Sequence, residues 1–146
     1  MNDLLLIASI ADRRCAFRAE QVQSVIDLGK ITPIPCAPDY IVGMTALRSQ
    51  ALTVIDCRRV IGEDPAQFGS DMRAPVVSVN GHSYALVIDK VEDVTETGSE
   101  AESVIGGFGE EWTRISKGMI ETADGPVLLL DVDAIISVPG EQVRAA

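Results

Sequence analysis

The 146-residue chain is poor in the residues that catalytic and metal sites require. It has one histidine, His82, and its three cysteines, Cys15, Cys36 and Cys57, are spread evenly rather than in close pairs. A zinc site takes about four nitrogen or sulfur ligands, usually from closely spaced pairs, so this spacing argues against one. We expect no metal and no cofactor, and we interpret the cysteines as buried thiols in a reducing compartment.

The chain also lacks long apolar runs and an excess of positive charge. No stretch reaches the ~20 apolar residues that cross a bilayer. The short apolar run at 4–11 has no basic residue before it, which favours a buried strand over a signal sequence. Twelve basic residues face 22 acidic ones, and the net charge of −10 repels phosphate backbones and anionic lipid. These features predict a cytoplasmic protein with no nucleic-acid partner and no membrane insertion.

What remains is a pattern of short strands. Hydrophobic residues make up 47% of the chain, and they alternate with polar ones in short runs bounded by turn residues. Strands are predicted at 4–10, 44–48 and 51–56, and Asn80-Gly81 predicts a tight hairpin turn. Two short helical segments are predicted as well, one from the helix-like spacing of Val22, Val25 and Ile26 and one at 57–62.

The chain repeats itself. "GMTALRSQALTVIDCRRVIG" (43–62) has nearly the same pattern as "GMIETADGPVLLLDVDAIIS" (118–137), and residues 16–25 resemble residues 85–94. Two similar blocks in the same order indicate a duplication and predict two small barrels packed side by side. One difference matters for function, because Ala123 stands where the first copy has Arg48.

No set of residues marks a catalytic site. The sequence contains no motif that pairs a nucleophile with a base, and "IGGFGE" (105–110) fits no phosphate-binding spacing. The carboxylates Asp89, Asp93, Asp131 and Asp133 are interpreted as caps of turns rather than as metal ligands. Arg48 is conspicuous in an apolar hairpin. It is either a surface arginine lying over a strand edge or an anchor at a protein interface, where arginine is enriched.

The block "ITPIPCAPDYIVGMTALRSQALTVIDCRRVIG" resembles the signature of the chemotaxis coupling proteins, the CheW family. "YALVIDKVEDV" (84–94) is similar to the family's apolar strand, and "GMIETADGPVLLLDVDAII" is similar to its closing hairpin. The resemblance implies a mainly β fold of two packed, SH3-like, five-stranded barrels with a short helix or helical turns. It also implies a scaffold without catalysis or cofactor, which links the cytoplasmic tips of chemoreceptors to the regulatory domain of a CheA-type histidine kinase.

The resemblance assigns a coupling face to six residues. Leu47 and Arg48 match the family's Leu-Arg pair, and Val22 falls on a segment that faces the receptor helices. Three positions depart from the family pattern, and we expect them together on one exposed face: Ser24 replaces a glutamate, Ala46 an asparagine and Ser49 a glycine. These departures keep open an alternative, a CheW-like adaptor for a divergent receptor or a non-chemotaxis kinase pathway.

The expected organisation is a single CheW-like domain over residues 1–137. The first barrel is predicted near 9–68 and the second near 72–137, with the N-terminal strand as a candidate for sharing between the barrels and a flexible tail at 138–146. Because no kinase core or receiver domain follows, the chain is expected to act as a stand-alone coupling protein. It is expected to be a monomer by itself and to be recruited to membrane receptor arrays. A small β-barrel enzyme or ligand-binding module is a more distant alternative.

Overall fold

The computed structural model describes residues 3–65, 72–97, 109–122 and 125–136. Ala123 and the predicted tail at 138–146 lie outside the described residues. Within the described ranges the fold is mainly β, as predicted, with short helices. The strands are β1 (Asp3–Ile10), β2 (Arg13–Arg18), β3 (Val22–Asp27), β4 (Ile41–Leu47), β5 (Gln50–Asp56), β6 (Arg73–Val79), β7 (His82–Val87), β8 (Lys90–Thr97), β9 (Ser116–Thr122) and β10 (Gly125–Leu130). The helices are α1 (Cys57–Val60), α2 (Glu110–Ile115) and α3 (Val132–Ile136), with a 3-10 turn at Ala19–Gln21.

The strands form two five-stranded sheets, each curled around its own apolar interior. The central barrel has the order β3-β6-β7-β5-β4, and the terminal barrel has the order β8-β1-β2-β10-β9. This membership differs from the predicted spans of 9–68 and 72–137. The reason lies in the pairing: β1 pairs with β8 and β2 with β10, so the N-terminal hairpin joins strands from the end of the chain.

Alternation along each strand builds three apolar clusters. In β1, Leu5 and Ile7 fill the terminal barrel, whereas Leu6 and Ala8 on the other face enter a larger cluster. That larger cluster also takes side chains from the central barrel, Ile55 for example, and it therefore forms a seam between the two barrels. Side chains at successive strand positions point to opposite faces of a sheet. A strand such as β1 therefore buries one set of side chains inside its barrel and the other set in the seam.

The repeat seen in the sequence recurs in the strand pairing. Each barrel has the same strand order, with β1–β5 equivalent to β6–β10. The registers agree as well: Leu6 opposes Val94 in the terminal barrel, and the equivalent Pro75 opposes Val25 in the central barrel. We interpret the chain as a duplication in which the two copies share both barrels.

The helical segment predicted from Val22, Val25 and Ile26 is wrong, because these residues lie in strand β3. The register shifts between Val22 and Ser24, which leaves Gln23 as the extra residue of a β-bulge. A bulge brings residues i and i+3 to one face of a strand, and in sequence this spacing looks the same as one face of a helix.

The predicted hairpin at Asn80-Gly81 is confirmed. Asn80 and Gly81 have φ angles of +53° and +82°, and they join β6 to β7 as a two-residue turn. The equivalent turn between β1 and β2 consists of Ala11 and Asp12, which also have positive φ angles, +51° and +66°. In the first copy, alanine and aspartate therefore stand where the second copy has asparagine and glycine.

The prediction of buried thiols holds for two of the three cysteines. Cys15 and Cys57 are buried in the seam, but Cys36 is exposed. Cys36 lies in the proline-rich connector between β3 and β4, which has turns there and no strand to bury it. Its φ angle of +61° fits a turn residue.

Candidate functional site

Arg48 lies in the two-residue turn between β4 and β5. Leu47 and Gln50 oppose each other across the hairpin, so Arg48 and Ser49 form the turn alone. Their φ angles are +50° and +71°, the left-handed pair of a type I′ turn, in which glycine or asparagine is usual. Both residues are exposed, so the turn presents a cation to solvent at the end of an apolar hairpin.

Within the described structure, Arg48 lacks the carboxylate partners that the arginines of helix α1 have. Arg58 forms an ion pair with Asp89, with 2.9 Å between Nη1 and Oδ2. Arg59 donates a hydrogen bond to Asp39, which raises the pKa of the Arg59 guanidinium. Among the described residues no carboxylate forms an ion pair with Arg48. Its donors are therefore available to a partner protein.

A groove of about 600 Å³ opens beside this turn in the central barrel. Ala46 and Leu47 of β4 line it together with Ile26 and Asp27 of β3, and Lys30 adds a positive charge. Strands β3 and β4 are the two edge strands of the sheet, so the groove marks the place where the barrel does not close. The structure thus brings two residues of the predicted coupling face, Ala46 and Leu47, to the wall of an open groove.

The proline-rich connector covers only part of the β4 edge. Thr32 and Met44 exchange two backbone hydrogen bonds of 2.8 Å each, and the Thr45 hydroxyl donates to the Lys30 carbonyl at 3.0 Å. Gly43 permits this approach, because a Cβ there would lie 2.3 Å from the Thr32 carbonyl oxygen. The β4 edge beyond Met44 borders the groove instead.

Val22 and Ser24 lie on opposite faces of β3. Val22 opposes Val77, a residue of the seam, whereas Ser24 opposes Val76, a residue of the central barrel's interior. Residues directly opposed in an antiparallel pair share a face. Ser24, Ala46 and Ser49 are all exposed residues of the central barrel, but Val22 is half-buried and packs against the seam.

The two bulged edge strands present equivalent valines. In β3, the bulge at Gln23 places Val25 on the same face as Val22, and Val25 is 37% exposed. In β8, the register shift opposite Ile7 and Ala8 leaves Glu92 as the extra residue, which places Val91 and Val94 on the seam face. Val94 is 51% exposed. We call these four residues the paired valine edges.

A carboxylate follows each pair of valines on the same face. Asp27 opposes Arg73 two positions beyond Val25, and Glu96 opposes Leu4 two positions beyond Val94. Leu4 is itself 49% exposed and continues the apolar surface of the terminal barrel. Each edge strand therefore offers apolar contact with a negative charge at one end, and the surface suits a partner that carries apolar and basic side chains.

Val25, Val91, Val94 and Leu4 were not among the predicted site residues. The signal that identifies the valines was present in the sequence, because the match of 16–25 with 85–94 aligns Val22 with Val91 and Val25 with Val94. What the sequence does not show is the pair of bulges, which turns a Val-x-x-Val spacing into one exposed face of a strand.

The described residues assemble no metal site. Within the described ranges no group of three or more histidine, cysteine or acidic side chains could hold a metal ion. Asp131 accepts a hydrogen bond from the Ala134 backbone N–H, as expected of a cap, whereas Asp89 accepts one from Ala11, which lies in the turn between β1 and β2. His82 is exposed beside its turn. Burial raises the pKa of the Cys15 thiol to about 12, which leaves it unreactive at neutral pH.

These observations define a class: a duplicated, two-barrel β protein whose exposed apolar, cationic and groove features suit contact with other proteins. A family model described as the CheW-like domain matches residues 4–139. The chain belongs to the CheW-like domain family. No described helix is both long enough and apolar enough to cross a membrane.

Individual relatives agree with this family. The chain is 26% identical over 137 residues to the chemotaxis protein CheW of Thermotoga maritima, covering 90% of this chain and 86% of the relative. It is 30% identical over 82 residues to the protein FrzA of Myxococcus xanthus, covering 56% of this chain and 51% of FrzA.

A solved structure agrees in fold. The crystal structure of the scaffolding protein TtCheW from Thermoanaerobacter tengcongensis superposes with a TM-score of 0.82 at 23% identity, covering 97% of this chain and 92% of that chain. The predicted family and the predicted two-barrel fold are confirmed.

Proposed function

We propose that this protein is a non-enzymatic adaptor that couples the cytoplasmic tips of chemoreceptors to the regulatory domain of a CheA-type histidine kinase. Membership of the CheW-like domain family supports the adaptor role, as do relatives that bear the name chemotaxis protein CheW. The observation that carries the proposal is the paired valine edges, in which Val25 and Val94 are exposed apolar side chains, one on each barrel.

The paired valine edges are the proposed receptor contact. Val25 and Val94 are 37% and 51% exposed in the free protein, so a partner that covers them gains about a third to a half of the roughly 1.5–3 kcal/mol for complete burial of a fully exposed side chain. Asp27 and Glu96 would pair with basic side chains at the rim of the contact. Val22, which the family resemblance assigns to the receptor face, supports this surface from below because it packs against the seam.

Arg48 is the proposed anchor of the coupling surface on the central barrel. It stands at the end of the β4–β5 hairpin next to the groove lined by Ala46 and Leu47. An arginine that a partner desolvates contributes through its fork of donors and its flat face. The hairpin and groove are therefore proposed as a second contact, separate from the paired valine edges.

A second candidate is an adaptor of the same fold for a divergent receptor or a non-chemotaxis kinase. The observation that favours it is the exposure of Ser24, Ala46 and Ser49, the three positions that depart from the family pattern. Because all three are in contact with solvent, they are free to change the choice of partner without changing the fold.

The experiment is a binding titration of the full-length protein with a receptor-tip fragment and, separately, with the kinase regulatory domain from the same organism. Val25→Ser and Arg48→Ala are compared with matched controls on other surfaces, Ile34→Ser and Lys117→Ala, whose side chains are also exposed. We expect at least one partner to lose roughly tenfold or more in affinity with each site variant, as for hot-spot residues, and the controls to bind as wild type.

Each result has a distinct meaning. Kinase binding without receptor binding favours the second candidate, an adaptor for a divergent receptor. Binding to neither partner contradicts both. Equal affinity of site and control variants for both partners would show that the proposed contacts lie elsewhere on the molecule.

A further inference from the structure

The two copies of the duplication have few strand pairs of their own. We call β1–β5 with α1 the N-repeat, and β6–β10 with α3 the C-repeat. Within the N-repeat the paired strands are the hairpins β1–β2 and β4–β5, and the other backbone pairing of the ladder type is the isolated bridge between Thr32 and Met44. Strand β3 pairs with no strand of its own repeat. The described strands of the C-repeat likewise form two hairpins, and β8 pairs with no other described strand of that repeat.

Four strand pairs join one repeat to the other. Two are antiparallel, β1 with β8 and β3 with β6, and two are parallel, β2 with β10 and β5 with β7. The result is reciprocal: the first hairpin of each repeat is inserted between a single strand and a hairpin of the other repeat. Each barrel is thus completed by strands of both repeats.

The apolar clusters depend on both repeats in the same way. The interior of the terminal barrel combines Leu5 and Ala16 of the N-repeat with Val127 and Leu129 of the C-repeat. An isolated two-stranded hairpin is marginally stable at best in water. A repeat without its complement would expose both the barrel-facing and the seam-facing side chains of its strands, so the driving force for folding comes largely from contact between repeats.

We propose that the two repeats recognise each other as separate binding partners, and that a repeat accepts its complement from a second copy of this chain. The peptide link between the repeats runs from α1 to β6, and it contributes none of the four strand pairs that join them. The partner of each repeat is therefore specified by strand register and apolar pattern rather than by belonging to the same chain. Two copies that exchange repeats form a dimer with two complete sets of barrels and two coupling faces.

The test begins with the full-length chain in its folded state. A protease site is placed within residues 66–71, between the repeats, and the intact protein is cut after folding. We expect the two pieces to remain together in size-exclusion chromatography. Their thermal midpoint should rise with protein concentration, as it does for an association, whereas the uncut protein should show no such dependence. Pieces that separate, or that unfold cooperatively as independent monomers, would overturn the proposal.

Exchange between copies is read from labels. Light and isotopically heavy copies of the uncut chain are unfolded together, refolded at high concentration and analysed by native mass spectrometry. A dimer that contains one light and one heavy chain is expected, and copies mixed only after refolding should show none. To distinguish exchange from surface association, the chains carry the protease site and the refolded mixed dimer is cut. If the copies have exchanged repeats, each N-repeat should remain bound to a C-repeat of the other mass. Refolding to monomers alone, or to dimers whose cut pairs have matched mass, would overturn the proposal.

Discussion

The Asp89 carboxylate lies 2.9 Å from the Arg58 guanidinium, measured from Oδ2 to Nη1. The same oxygen accepts a hydrogen bond of 3.1 Å from the Ala11 backbone N–H. Arg58 lies in helix α1, which follows the central barrel's β5, whereas Ala11 lies in a turn of the terminal barrel. One carboxylate oxygen therefore joins the two barrels through polar contacts at the edge of an otherwise apolar seam.

Asp89→Ala should lower the free energy of unfolding by about 1–2 kcal/mol, because it leaves two donors without their acceptor. The Arg58 and Asp89 side chains are 24% and 27% exposed, so water replaces part of what is lost. The measurement is urea denaturation. Asp93→Ala is the matched control, since within the described part of the chain the Asp93 carboxylate accepts a hydrogen bond from its neighbour Val94 and from no other element. Equal losses for the two variants would contradict a specific tie between barrels.

Ser49→Gly should stabilise the protein by about 0.5–1 kcal/mol. Ser49 has a φ of +71°, a conformation that costs an L-residue roughly 1–2 kcal/mol and glycine almost nothing. Part of this gain is offset because glycine adds entropy to the unfolded chain. The melting temperature reports the change, and Ser49→Ala, which keeps the steric conflict, should bring no gain. A lower melting temperature for Ser49→Gly would show that the serine hydroxyl stabilises the turn.

Gly43→Ala should destabilise the protein by about 2–3 kcal/mol through overpacking. A Cβ at position 43 would meet the Thr32 carbonyl oxygen at 2.3 Å and Ile31 Cγ2 at 2.9 Å, and the first of these is backbone that has to move. Gly29→Ala is the control, because nothing lies within 4 Å of a Cβ there. Chemical denaturation gives the free energy of unfolding of each variant. If Gly43→Ala is as stable as Gly29→Ala, the connector moves aside easily.

The three cysteines should react differently with a thiol reagent. Cys36 is exposed, whereas Cys15 and Cys57 are buried, and burial raises the pKa of both buried thiols, that of Cys15 to about 12. One thiol should therefore be modified in the native protein and all three after unfolding. Cys36→Ser should abolish the native reaction; rapid modification of more than one native thiol would show that the seam opens.

Because the pKa of the Cys15 thiol is raised in the folded protein, we also expect the protein to lose stability in strong alkali. The pKa of Cys15 is raised from 9.0 to about 12 on folding, so the folded state holds a proton that the unfolded state releases between these values. The contribution is complete below pH 9.0 and falls as the pH rises toward about 12. Urea midpoints measured across this interval should decline less steeply for Cys15→Ala than for wild type. If the urea midpoint declines equally steeply with pH in both proteins, deprotonation of Cys15 is not the cause of the lost stability.

Much of the fold follows from local pattern. Alternation predicted the strands around Leu52 and Val54, and Asn80-Gly81 predicted its hairpin, because both signals act over a few neighbouring residues. Local pattern did not predict which strands belong to which barrel. Consecutive strands usually pair or lie side by side, which favours a division at the middle of the chain. The pairing of β2 with β10 is decided instead by contacts between residues such as Cys15 and Leu128, which no local pattern encodes.

The candidate site was likewise predictable only where its features depend on residues that are close together in the sequence. Arg48 is visible in the sequence because a cation interrupts an apolar hairpin, and its exposure depends only on the local turn. Val25 and Val94 owe their exposure to position at the edges of two sheets, which is a property of the tertiary arrangement. The bulge at Gln23 adds a second obstacle, since it gives a strand the residue spacing of a helix.

The interleaving of the two repeats has a consequence for synthesis on the ribosome. The hairpin of β1 and β2 is translated before its partners β8 and β10, so its two faces have no native cover until β10 has been made. Chains emerge at about 5–20 residues per second, so the wait lasts several seconds. We expect a nascent chain of this kind to rely on chaperones, or on the solubility that its acidic residues provide, until β10 has been made.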